Sequence, residues 1–141
     1  MYCTIDDLKD YLLEKYLAKI EELNPGSRDR QIANVSAEID EALLQGGFEV
    51  PDENTSAMLT RICAVMCDWR LVGEITSLMD TEASSSNEWI PLQRLNSRAE
   101  KDLDAIRQGR LDPFPSRSGS NDEVLVSAPD AIFTDDTWRK F

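Results

Sequence analysis

The sequence predicts an all-α fold: a small bundle of four to five helices around a central apolar helix, with an extended C-terminal arm. Three observations carry this. The stretch Asn54 to Gly73, NTSAMLTRICAVMCDWRLVG, is apolar on nearly every side, and such a helix is one that other helices surround. The segments flanking it repeat apolar residues at spacings of three and four. Asn24-Pro25-Gly26 and Gly46-Gly47 are firm stops between them, through the missing N–H of proline and the positive φ open to glycine.

In order, Thr4 with Asp7 resembles a capping box, and Ile5, Leu8, Leu12, Leu13, Tyr16, Leu17 and Ile20 continue a helical pattern with a break near Glu14. Ser27 caps the next helix, which runs to about Gln45. Its stripe is Ile32, Val35, Ile39 and Leu43, flanked by Ala33, Ala37, Ala42 and Leu44. Phe48, Val50 and Pro51 lie in an extended connector, where Phe48 and Val50 face the same side and either pin the connector to the core or meet a partner. Asn54, Thr55 or Ser56 can cap the central helix and Gly73 can end it, with a short continuation through Leu78 also open. Thr81 to Asn87 is small and polar and reads as a loop. The last helix starts near Ser86 or Asn87, takes Pro91 in its first turn, buries Trp89, Leu92, Leu95, Ala99, Leu103 and Ile106, and ends at Gly109.

The domain plan is therefore a helical body over residues 1–109, a flexible linker over 110–123 rich in Pro and Ser, and an arm over 124–141 that turns apolar and aromatic again. A merely solubilising tail would not carry Ile132, Phe133, Trp138 and Phe141. The arm either folds back on its own body or docks on another chain.

Composition narrows the chemistry. The 141 residues carry 27 acids against 15 bases, a net charge of −12, which argues against binding to nucleic acid phosphates. There is no histidine, so the commonest general acid/base and zinc ligand are both missing. Cys63 and Cys67 share one face of the central helix, but two thiolates without further ligands make a poor zinc site, and they read as small buried hydrophobes in a reducing compartment. No metal or cofactor is expected. No signal peptide or membrane-spanning run is read, so cytoplasm-like conditions are expected. No phosphate loop, nucleophile elbow or calcium loop is present. Glu38, Asp40 and Glu41, with Glu21 and Glu22, are the one enzyme-like set. An all-helical Mg²⁺-dependent nucleotide pyrophosphohydrolase needs inward acid pairs on two neighbouring helices, and the second pair is missing. Arg61, Asp68 and Arg70 interrupt the apolar helix and call for partners. An Asp40–Arg70 ion pair is expected to fix the register of the second and central helices.

These residues also carry a resemblance. MYCTIDDL resembles the opening of a small family encoded in Mu-like phages and prophages. SAEIDEAL (Ser36 to Leu43), the Val50-Pro51 of the connector, LTRICAVMCDWRLVG (Leu59 to Gly73) and IFTDDTWRKF at the end resemble its later segments in the same order. The resemblance implies a head–tail connector, a neck adaptor or head-completion protein. Such proteins form a ring, usually twelve-fold in the particle, between the portal and a stopper or tail-completion protein. It further implies self-association, a place at the virion head–tail junction with assembly in the host cytoplasm, no specific nucleic acid binding and no membrane. An acidic lumen would let DNA slide. The partner-binding surfaces expected are Phe48 and Val50 in the connector and Ile132, Phe133, Trp138, Arg139 and Phe141 in the arm. The linker from Asp112 to Glu123 could reach up to about 40 Å if extended. A generic helical interaction adaptor of phage origin is the alternative.

Overall fold

The computed structural model describes residues 1–54, 56–79 and 89–114. Among these residues the chain is helical, in the order α1 (Ile5–Leu8), α2 (Glu14–Leu23), α3 (Ser27–Gln45), α4 (Ala57–Met79) and α5 (Ile90–Arg107). The central helix is α4, and α1, α2, α3 and α5 all pack on it. Every residue from Ile62 to Asp68 is buried. A run that long covers more than a full turn, so it can be buried only if neighbours enclose the helix on all sides.

Local chemistry sets most boundaries. At α1, Thr4 and Asp7 form the reciprocal capping box, with the Thr4 amide donating to the Asp7 carboxylate at 2.8 Å. Leu12 is buried and Leu13 exposed where the chain leaves α1 and re-enters α2. Gly26 precedes α3 with φ 82°, the left-handed conformation that favours glycine. Ser27 is the first residue of α3, not its cap: its hydroxyl donates to the Glu74 carboxylate on α4.

Two helices end in the same way. The Phe48 amide reaches back to the Leu43 carbonyl and Gly47 to Leu44, while Arg110 reaches Ala105 and Gly109 reaches Ile106. With positive φ at Gly47 and Gly109, these are paired Schellman caps on α3 and α5. The two ends abut, Gly46 lying against the Ile106 carbonyl.

The structure departs from expectation at three further places in the bundle. Gly73 does not end α4, and its φ is not positive. Ile75 continues the buried stripe and Glu74 accepts from Ser27 and Gln31, so tertiary contacts override the weak helix propensity of glycine. On α5 the inward position expected for Leu95 belongs to Asn96: Leu92, Asn96, Ala99, Leu103 and Ile106 are buried and Leu95 is exposed. On α3, Ala33, Ala37 and Leu44 face outward, and Ala42 alone of the flanking set is buried.

The body also extends past Gly109. The Ser56 hydroxyl donates to the Pro113 carbonyl at 2.5 Å, Leu111 packs against the core, and Phe114 meets Phe48 edge-on with centroids 6.3 Å apart. Arg110 to Phe114, assigned to the linker from their composition, are thus held on the start of α4. The rest of the linker and the arm, 124–141, lie outside the described residues.

Candidate interaction surfaces and a buried thiol cluster

The connector between α3 and α4 is built outward from the α3 cap. The Schellman turn aims Phe48 back at the bundle, where its ring lies beside Gly46 and Phe114. Phe48 is half-buried and packed against the core. Val50, two residues on, is exposed. Phe48 thus pins the connector to the core, while the Val50 side chain is exposed. Leu44, on the other side of the Gly46-Gly47 turn, is 64% exposed and adds a second apolar side chain flanking that turn. The remaining candidates, Ile132, Phe133, Trp138, Arg139 and Phe141, lie outside the described residues.

The Asp40–Arg70 pair does not form. Arg70 donates to Glu38 at 2.8 Å, and Asp40 accepts from the buried Tyr2 hydroxyl. Glu38 and Asp40 stand two positions apart on α3, about 200° around a helix, so they cannot face the same neighbour. The Glu38 contact raises the Arg70 guanidinium above its usual range. Burial, then the Asp40 carboxylate, raises the Tyr2 phenol. The other acids of the enzyme-like set are engaged separately. Glu21 binds Arg28, Glu22 pairs with Lys19, and Glu41 accepts from Gln45. They do not converge on one point, as a phosphohydrolase site requires.

Of the charges on α4, Arg61 pairs with Asp102 of α5 at 2.7 Å. Asp68 is fully buried, and neither carboxylate oxygen has a hydrogen-bond partner among the described residues. Desolvation, with the nearby Asp10 carboxylate adding to it, pushes Asp68 up to about 8. It is therefore mostly neutral at pH 7, the cheapest state for an unpaired buried carboxyl.

Cys3, Cys63 and Cys67 form a cluster that sequence reasoning saw only in part. Their sulfurs lie within 4.8 Å of one another, and all three residues are buried. The Cys3 and Cys63 sulfurs are 3.0 Å apart, far longer than a disulfide bond of roughly 2.0 Å, and all three thiols are free. Hydrogen bonds from the Cys3 and Cys67 thiols draw the Cys63 thiol below its usual range. The i, i+4 spacing of Cys63 and Cys67 was visible in the sequence. The arrival of Cys3 was not, because it depends on how the first residues cross α4. The Asn54 amide holds that crossing, donating to the Tyr2 carbonyl at 3.0 Å and to Thr60 at 2.7 Å.

No helix among the described residues is long and apolar enough to cross a membrane. A family model described as Bacteriophage Mu, Gp36 matches residues 2–123. No curated protein and no solved structure matches the chain.

Proposed function

The chain belongs to the bacteriophage Mu Gp36 family, and from that premise we propose that it is a structural protein of the head–tail junction of a Mu-like phage. Copies assemble into a ring, a dodecamer in the particle, that binds the portal on one face and a stopper or tail-completion protein on the other. The lumen of the ring continues the DNA channel. The protein assembles in the host cytoplasm and ends in the virion.

The observation that carries this reading is the family match, which spans the whole helical body and reaches into the linker. Physical chemistry is in keeping with it. A net charge of −12 suits a channel wall past which DNA slides. The carboxylates expected of a phosphohydrolase are tied into separate contacts, so a scaffolding role fits better than catalysis. Val50 of the connector and the apolar arm supply contact surface for a neighbour or the portal.

Native mass spectrometry of the full chain, alone and with its portal, tests the reading. Ring formation on the portal, at the subunit number of the portal or a simple match to it, is the expected result. A chain that stays monomeric and never associates with portal overturns it.

A further inference from the structure

All the cysteines of this chain meet at one place. Cys63 and Cys67 come from successive turns of α4, and Cys3 reaches them from a segment 60 positions away in sequence. We propose that Cys3, Cys63 and Cys67 form a three-thiolate site for a soft d¹⁰ cation of the zinc group. The site clamps the N-terminal segment to the central helix.

Geometry carries the proposal. A zinc–thiolate bond is about 2.3 Å, so two sulfurs on one tetrahedral ion stand roughly 3.8 Å apart. The Cys3 and Cys63 sulfurs stand 3.0 Å apart and all three lie within 4.8 Å of one another, a cluster compact enough to share one ion. Small side-chain rotations at Cys3 and Cys63 would open their 3.0 Å separation to that spacing. The i, i+4 spacing on α4 lets two donors share one ion. The buried Ser36 hydroxyl, 3.8 Å from the Cys63 sulfur, stands within reach of a fourth position.

Chemistry and access agree. Thiolates select soft ions, whereas carboxylates, which suit Mg²⁺ and Ca²⁺, are not part of the cluster. Binding displaces the protons that the thiols still hold, and those protons leave to solvent. A surface pocket of about 430 Å³ lined by Cys3, Met1, Asp6 and Asp29 among others meets the cluster at Cys3, and its acids would attract a cation there. A small domain gains from such a clamp, because ion binding is then part of its folding free energy.

The test uses the full chain, reduced and stripped of metal with a chelator. Zn²⁺ is titrated against a chromophoric competitor, and Cd²⁺ is followed by thiolate-to-metal charge-transfer absorption. The expected result is one ion per chain, the charge-transfer band, and a Tm that rises with bound metal. Cys3→Ala and Cys67→Ala should each weaken binding by at least about tenfold, the loss that even an outer partner of a metal ligand causes. Helical circular dichroism of Cys3→Ala, the variant whose residue lies outside the helices, checks that the loss is not unfolding. A reduced wild-type chain that takes up neither ion overturns the proposal, as does a folded Cys3→Ala chain that binds as tightly as wild type.

Discussion

Gly46 stands so close to the Ile106 carbonyl that a Cβ at position 46 would lie 2.0 Å from that oxygen. The ends of α3 and α5 can meet only because this position has no side chain. Gly46→Ala should therefore push the two helix ends apart and cost about 1–3 kcal/mol or more, the range for forcing extra volume into a packed site. Gly73→Ala is the matched control. Gly73 lies inside α4 with nothing within 4 Å of its would-be Cβ among the described residues. Helix propensity alone should then raise stability by up to about 1 kcal/mol. Urea denaturation of the two variants reads opposite signs if the packing is as described.

Asp68 should make the stability of the protein depend on pH. Its carboxyl titrates at about 8 in the folded chain against 3.8 as the ordinary value. Between those two pH values the folded state holds a proton that the unfolded state has lost. The Asp68 contribution is therefore complete below about pH 4, declines as pH rises, and is gone above about pH 8. Asp68→Asn removes the titration and should flatten the Tm profile over that window, leaving the variant more stable than wild type at pH 8 by a few kcal/mol at most. Equal pH slopes for the two proteins would place the carboxyl in contact with a partner or water.

The two acids of α3 should couple to different partners. Glu38 and Arg70 are each about a third or more exposed, 41% and 33%, so their bond is worth roughly 1 kcal/mol or less. Tyr2 is buried and its hydroxyl donates to Asp40 in a part-buried bond, and a hydrogen bond to a charged acceptor contributes about 1.5–3 kcal/mol. Double-mutant cycles on stability should show the larger coupling for Tyr2→Phe with Asp40→Asn, the smaller for Glu38→Gln with Arg70→Met, and none for Asp40→Asn with Arg70→Met.

What the sequence made legible was what local rules decide. The Asn24-Pro25-Gly26 and Gly46-Gly47 signals bound α3 at the residues observed, Ser27 and Gln45. The all-round apolarity of Ile62 to Met66 marked the helix that others surround. The errors came where a neighbour decides. Gly73 stays helical because Glu74 and Ile75 have partners across the bundle. Asn96 displaces Leu95 from the buried face because α5 keeps a spacing of four, three, four and three from Leu92. Glu38 takes Arg70 because it, and not Asp40, lies on the side of α3 that meets that arginine. The thiol cluster needed a third residue whose position is set by tertiary crossing, which no periodicity encodes.

Two truncations separate the body from the arm. From composition, a chain ending at Arg110 should remain a complete body. The structure says otherwise: it would leave the buried Ser56 hydroxyl without the Pro113 carbonyl and Phe48 without Phe114. An unpaired buried hydroxyl costs about 1–3 kcal/mol and a lost aromatic pair about 0.5–1.5 kcal/mol, so the loss should be roughly 2–4 kcal/mol. A chain ending at Phe114 keeps both contacts and should melt as the full chain does. If the arm docks on a neighbouring subunit or the portal, that longer truncate should stay folded and monomeric while the full chain assembles. If it assembles normally but melts lower than the full chain, the arm packs on its own body, and Val50 with its apolar neighbours becomes the surface to mutate next.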